Sequence, residues 1–116
     1  IDFAHMHALT QGGMKTKEDF RRVFMLVEKY LGRDRMRKVH IHFSRVEYGK
    51  SGEKKHWSYK DTEYGPDFNP LAQAIIEMDL EPVVICESRG TMAEDALTLK
   101  KIFIEESGKY LDDTET

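Results

Sequence analysis

Polar and apolar residues alternate strictly through residues 39–44, where the polar positions are His40, His42 and Ser44. Alternation with a period of two predicts a β-strand with both histidines on one face and the apolar residues on the other. Two histidines on one strand face are typical either of a hydrogen-bonded polar surface or of a metal site. The alternation alone leaves both interpretations open.

The rest of the pattern predicts helices that alternate with strands, because apolar residues recur at helical spacing in three segments. The predicted elements are a short strand at 1–4, a loop at 5–15, a helix from Thr16 to a C-cap at Gly32, a long polar loop at 45–68, a helix with Asn69 as N-cap, a strand at 82–86 buried on both faces, and a helix from a capping box at Thr91–Glu94 to about Ser107. Strands in such an order pair in parallel through right-handed crossovers. Three strands give too little sheet to cover three amphipathic helices. We therefore predict an α/β fold in which residues 1–116 form about three C-terminal β/α units of a partial (β/α)8 TIM barrel.

Composition restricts the class of protein. The chain has 116 residues, of which 40% are hydrophobic and 34% charged, and its net charge is −3. Its apolar runs are shorter than the roughly 20 residues that a membrane-spanning helix needs, so we expect no membrane partner. Cys86 is the single cysteine, which excludes an internal disulfide and favours a cytoplasmic location. Because the sequence begins at Ile1 within a predicted strand, we expect a portion of a longer protein, with missing sequence or a second copy of the chain completing the barrel.

Residues with metal-binding side chains fall at the predicted strand ends. Asp2 and His5 end the first strand, His40 lies on the second, Glu87 follows the third, and His56 lies in the long loop. The carboxyl ends of barrel strands form the active site in parallel α/β barrels. Imidazole and carboxylate together suit zinc, manganese or iron(II). All five histidines of the chain lie outside the predicted helices, which favours a metal site over scattered surface histidines.

Positive charge is concentrated around the same segment. Residues 33–60 contain nine Lys or Arg against three Asp or Glu. Such an excess attracts phosphates, although a solvated surface gives the same pattern. The residues that we expect to contact DNA are Arg45, Lys54, Lys55, Trp57 and Tyr59.

Four short stretches together resemble a known family. They are Asp2-Phe-Ala-His5, Val39-His40-Ile-His42-Phe-Ser44-Arg45, Lys55-His56 and Ile85-Cys86-Glu87-Ser88. This ordered set resembles the carboxyl-terminal half of the endonuclease IV type AP endonucleases, which belong to the xylose isomerase-like (β/α)8 superfamily. The resemblance covers nearly the whole chain, from the sixth strand of such a barrel to its last helix.

The resemblance implies a zinc-dependent phosphodiesterase that cuts DNA 5′ of abasic sites in DNA repair. By resemblance, Asp2, His40 and Glu87 hold one metal ion, His5 and His56 hold another, and Glu87 is also the catalytic residue. Zinc is the implied metal, with manganese or another divalent ion as the alternative. The metal would generate hydroxide and stabilise the leaving oxygen.

One departure from the family leaves other functions open. The family has an Asp-x-His pair in the loop after its seventh strand, where this chain has Lys54-Lys55-His56. A lysine cannot replace a carboxylate ligand, so the third metal and full endonuclease activity are in question. The first alternative is a sugar isomerase or epimerase of the same superfamily, which uses a single metal. The second is a non-catalytic fragment, and whether this chain is an enzyme by itself stays open.

Overall fold

The computed structural model describes residues 1–115, and it describes side chains for residues 1–111. The described residues contain five helices and four short strands, joined by loops. The elements in chain order are α1 (Phe3–Leu9), α2 (Lys17–Leu31), α3 (Arg33–Arg37), β1 (His40–Phe43), β2 (Arg45–Gly49), β3 (Gly52–Trp57), α4 (Phe68–Glu77), β4 (Val83–Cys86) and α5 (Met92–Glu115). None of the described helices is long and apolar enough to cross a membrane.

The strands form two small sheets instead of one barrel segment. β1 pairs in parallel with β4, and β2 pairs with β3 as an antiparallel hairpin. Asp2 adds one isolated parallel bridge to His42. The exposed Val83 and Ile85 show that β4 is not buried on both faces. The prediction of a partial (β/α)8 barrel with parallel strands is therefore wrong, since the described residues form a small α/β domain with four short strands, two parallel and two antiparallel.

The first element is a helix, where the sequence pattern had predicted a strand and a loop. The carboxylate of Asp2 accepts a hydrogen bond from the backbone N–H of His5 at 2.9 Å, which is the geometry of an N-cap. The buried residues that follow are Phe3, Ala4, His7 and Ala8, at helical spacing. Four residues are too few to separate a period of 2 from one of 3.6, and the cap decides for the helix. His5 and His7 consequently lie on a helix.

The boundaries of α2 agree with the sequence. The Thr16 hydroxyl accepts from the N–H of Asp19, and the Asp19 carboxylate accepts from the N–H of Thr16, so both halves of a capping box are present. Gly32 ends the helix with φ = 87°, a conformation that costs glycine little. Phe20 and Phe24 bury the inner face of α2 and place their rings edge-on against Phe3.

The segment expected to be a long loop contains the β2–β3 hairpin. Its turn runs from Gly49 to Gly52, where Gly52 has φ = 113°. The register shifts between Glu47 and Tyr48, which marks a β-bulge. α1 packs against this hairpin, so the helix that carries His5 lies beside the strand that carries His56.

The last two helices also differ in extent from the prediction. α4 has Asp67 at its N-cap position, two residues before the predicted Asn69, and buries the expected Leu71, Ala74 and Ile75. α5 begins after Thr91 as expected, but it continues past Ser107 and Gly108 to Glu115. Thr116 and the side chains of the acidic tail from residue 112 onward lie outside the described part.

Candidate functional site

Three histidines and two glutamates form a continuous line of contacts beside the carboxyl ends of β1 and β4. We call this set the strand-end cluster; its members are His5, His42, Glu53, His56 and Glu87. Nδ1 of His42 is hydrogen-bonded to Oε1 of Glu87, whose Oε2 lies 3.6 Å from Nδ1 of His56. Nε2 of His56 lies 3.5 Å from Oε1 of Glu53, and Oε2 of Glu53 lies 3.7 Å from Nδ1 of His5. Imidazole and carboxylate therefore alternate along the whole line.

Parallel pairing brings the first two members together. Phe43 lies opposite Cys86 in the β1–β4 register, so His42 and Glu87 lie near the same end of adjacent strands. The Asp2 bridge pairs with His42 on the other edge of β1. His56 belongs to β3 and pairs with Val46 of β2. Because β2 follows β1 after Ser44 alone, the hairpin stays close to the carboxyl end of β1.

Ser44 orients the central histidine. Its side chain is buried, and its Oγ lies 2.5 Å from Nδ1 of His56. With Nδ1 held by this hydroxyl, the other ring nitrogen, Nε2, faces Glu53. Such hydrogen bonds to the far nitrogen commonly fix the ring of a metal-binding histidine.

The cluster contains three of the five residues expected to bind metal. His5, His56 and Glu87 belong to it. The Asp2 carboxylate caps α1, and its backbone borders His42. His40 is exposed at the start of β1, and no described ion pair or side-chain hydrogen bond joins it to the cluster.

Sequence reasoning did not select His42 or Glu53 as ligands. The alternation already placed His42 on the same strand face as His40, two residues nearer the carboxyl end of the strand. That position was the available signal for its place in the site. Glu53 had no such signal, because its approach to His56 depends on the register of a hairpin that the pattern did not predict.

The five expected DNA contacts divide into exposed and internal residues. Lys54 and Lys55 are exposed, and Nζ of Lys55 lies 3.9 Å from the centre of the Trp57 ring. Arg45 is buried and donates hydrogen bonds to the loop after the hairpin. The Tyr59 hydroxyl accepts a hydrogen bond from the backbone N–H of Phe68, and burial is the main cause that raises its pKa.

An aromatic pair extends the exposed side of the hairpin. The rings of Trp57 and Tyr64 are stacked, with centroids 5.1 Å apart and planes 11° from parallel. Nε1 of Trp57 donates to Oε1 of Glu47 at 3.1 Å. Nζ of Lys55 also lies over the Trp57 ring, so this ring contacts both an aromatic neighbour and a positive charge.

Two further titratable groups are internal. Cys86 is buried, and burial, followed by the charge of Asp95, raises its thiol pKa to about 11, so it stays a protonated core residue as expected from its apolar neighbours. A mostly apolar cleft of about 440 Å³ lies beside it, between α4, β4 and α5, away from the cluster. His7 is buried and accepts from the N–H of Met14 at 3.2 Å; burial and then Lys15 lower its pKa.

The donor set of the cluster suits a divalent cation, although it is not closed around one. Within residues 1–111, no group of three or more His, Cys, Asp or Glu side chains is already arranged to hold a metal ion. The cluster side chains instead contact one another in pairs. Imidazole nitrogens and carboxylate oxygens are nevertheless the ligands of zinc, manganese and iron(II). The side chains therefore fit such an ion in chemistry.

Comparison with known proteins adds one relative. No family model matches the chain, and no solved structure matches it. A protein of Methanocaldococcus jannaschii, described as uncharacterized, is 32% identical over 105 residues. The match includes 90% of this chain, which spans 37% of the length of that protein. The relative carries no named activity to compare with the site.

Proposed function

We propose that this chain takes part in a metal-dependent phosphodiesterase of the endonuclease IV type, which acts on DNA at abasic sites. The observation that supports this most is the strand-end cluster, in which three imidazoles and two carboxylates alternate beside an exposed basic hairpin. We also propose a cytoplasmic location, because the single cysteine, Cys86, is a free thiol that suits a reducing compartment.

Zinc is the proposed ion, with manganese as the alternative. Glu87, His42 and His56 are the residues that would hold it. When bound, a divalent ion polarises a phosphoryl oxygen and lowers the pKa of bound water, which makes a nucleophile near neutral pH. The chain's own contribution is to fix these ligands: Glu87 directs one oxygen to His42 and the other towards His56.

The hairpin offers a means of holding DNA next to the cluster. Lys54 and Lys55 are exposed on β3, the strand that also carries His56. Lys55 shares its face of β3 with Trp57, opposite the face of His56, so a phosphate paired with Lys55 would hold the DNA backbone at this strand, since lysine contacts phosphate as a point charge. Trp57 stacked on Tyr64 supplies a flat surface for a base that is displaced beside an abasic gap.

A second candidate function is a sugar isomerase or epimerase that uses one metal ion. The specific observation in its favour is the close His42–Glu87 pair at the strand ends, which provides one imidazole and one carboxylate for a single ion. Such an enzyme would need neither the exposed lysines nor the stacked aromatic pair of the hairpin.

Cleavage of a duplex with one abasic site, measured in the presence of zinc, tests the proposal. We expect incision 5′ of the abasic site, and we expect Glu87→Gln to lower its rate by more than about 100-fold, since even outer partners of metal ligands are worth 10–100-fold. Glu63→Gln removes an exposed carboxylate from the loop after the hairpin and should leave the rate unchanged. Metal binding without any incision would contradict the nuclease function and favour the isomerase.

A further inference from the structure

We propose that the chain binds a small organic molecule with one carboxylate group in a cleft beside His7, with the His7 ring and the Lys15 ammonium as its two donors. The cleft has a volume of about 360 Å³ and lies between α1, the loop after α1 and the loop that follows the hairpin. Its lining includes His7, Met14, Lys15, Thr62, Gly65 and Pro66. None of the residues that line it belongs to the strand-end cluster, so this site goes beyond the proposed function and does not depend on it.

The His7 ring supplies a buried hydrogen-bond donor that lacks an acceptor. Its Nδ1 accepts a hydrogen bond from the backbone N–H of Met14 at 3.2 Å, so the ring carries its proton on Nε2. His7 is only 5% exposed, and no hydrogen bond from Nε2 is described within residues 1–111. A buried N–H without an acceptor is unfavourable, and a ligand oxygen in the cleft would satisfy it.

Gly65 keeps this nitrogen uncovered. A β-carbon at residue 65 would lie 2.9 Å from Nε2 of His7, so a side chain at this position would cover the nitrogen. The backbone of Gly65 is held in place, because its carbonyl accepts a hydrogen bond from the N–H of Val46 at 2.8 Å. The glycine therefore permits a close approach of backbone to ring and leaves Nε2 accessible to a small ligand.

Lys15 supplies the positive charge beside the ring. Burial and then the charge of Lys15 lower the pKa of His7, so the ammonium group lies within electrostatic reach of the imidazole. No ion pair of the Lys15 side chain is described in the part of the chain that has side chains. The backbone N–H of Lys15 donates to the Asp19 carboxylate at 3.0 Å, which anchors the residue at the cleft. The ammonium group can therefore pair with an anion while its backbone stays in place.

One carboxylate matches this arrangement better than a phosphate does. One carboxylate oxygen can accept from the N–H of His7 and the other from the Lys15 ammonium, and such charge-assisted hydrogen bonds are strong. Two acidic residues, Glu63 and Asp67, also line the cleft. Asp67 is paired with Arg45 at 2.8 Å, whereas no ion pair of Glu63 is described within residues 1–111. A doubly charged phosphate would be repelled by this second carboxylate, while the single charge of an organic acid is balanced by Lys15.

Titration with butyrate, followed by NMR of the histidine ring nitrogens, tests this inference. We expect saturable binding in which the Nε2 resonance of His7 shifts more than its Nδ1 resonance. Lys15→Gln should weaken binding at least about 10-fold, because a hydrogen bond to a charged group is worth at least that factor. Lys101→Gln changes an exposed lysine on α5 and is the matched control, which should bind butyrate as the wild type does.

Two further comparisons separate a built site from loose attraction between charges. Butyramide has the shape of butyrate without its charge and should bind at least about 10-fold more weakly. Gly65→Ala should abolish binding because its methyl group covers Nε2 of His7. If circular dichroism shows that Gly65→Ala does not fold, Lys15→Gln decides the result, since its side chain is exposed.

Three results would overturn the proposal. The first is equal butyrate affinity in Lys15→Gln and the wild type, and the second is an Nε2 resonance of His7 that does not move at saturation. The third is tighter binding of inorganic phosphate than of butyrate, which would contradict the choice of a carboxylate ligand.

Discussion

Replacement of Arg45 by methionine tests whether this residue holds the fold together or contacts DNA. The Arg45 side chain is 5% exposed. Its Nε donates to the carbonyl of Tyr59 at 2.8 Å, and its Nη1 donates to the carbonyl of Tyr64 at 2.6 Å and to the Asp67 carboxylate at 2.8 Å. The guanidinium carbon also lies 4.1 Å from the centre of the Tyr59 ring. Arg45 therefore joins the start of β2 to the loop that leads into α4.

The expected loss of stability follows from these contacts. The Asp67 side chain is 67% exposed, so its ion pair contributes little after solvent screening. The carbonyls of Tyr59 and Tyr64 would each lose a charged donor, at about 1 kcal/mol apiece. The contact with the Tyr59 ring adds about 1 kcal/mol. We expect Arg45→Met to lower the free energy of unfolding by about 3 kcal/mol.

Urea denaturation, followed by the fluorescence of Trp57, measures this change. Arg22 is 75% exposed with one ion pair to Asp19, and Arg22→Met is the matched control, expected within about 0.5 kcal/mol of the wild type. A loss below about 1 kcal/mol for Arg45→Met would refute the structural role. If Arg45 instead contacts a phosphate, the free energy of unfolding of Arg45→Met would equal that of the wild type. Its affinity for DNA would fall, and the slope of log affinity against log salt concentration would decrease by about one.

Two other predictions concern the core and the buried histidine of α1. Phe3→Ala should lower the free energy of unfolding by about 4 kcal/mol because the ring is fully buried, whereas Leu9→Ala, at a side chain 60% exposed, should change it by less than about 0.5 kcal/mol. In urea denaturation, a loss below about 2 kcal/mol for Phe3→Ala would contradict this packing. Burial first, then Lys15, lowers the pKa of His7, so the unfolded state binds more protons between that lowered pKa and about 6.5, and stability falls as pH falls through this window. His7→Gln should flatten this pH dependence, and an unchanged slope of stability against pH in that variant would count against it.

Local chemistry explains which parts of the fold the sequence could predict. Thr16 and Gly32 mark the ends of α2 through capping and a positive φ, and both effects act within a few residues. β1 was predicted because the alternation of polar and apolar residues there is long enough to distinguish a strand from a helix. The helix after Asp2 was missed, since a single cap outweighed a short apolar pattern. The barrel prediction was wrong for a related reason. A count of predicted strands does not show which strands pair, so it does not distinguish a hairpin from a loop.

The same reasoning applies to the candidate site, where position in the sequence and position in space differ. The family resemblance implies the carboxylate of the loop pair at the position of Lys54, two residues before His56. The hairpin inserts that lysine as a bulge, so the face of β3 that carries His56 is continued by Glu53. A carboxylate that is absent at one position of a linear motif can therefore be present at a neighbouring position of the folded strand. Glu53 has no counterpart in the linear motif, and its contact with His56 follows from the backbone register alone.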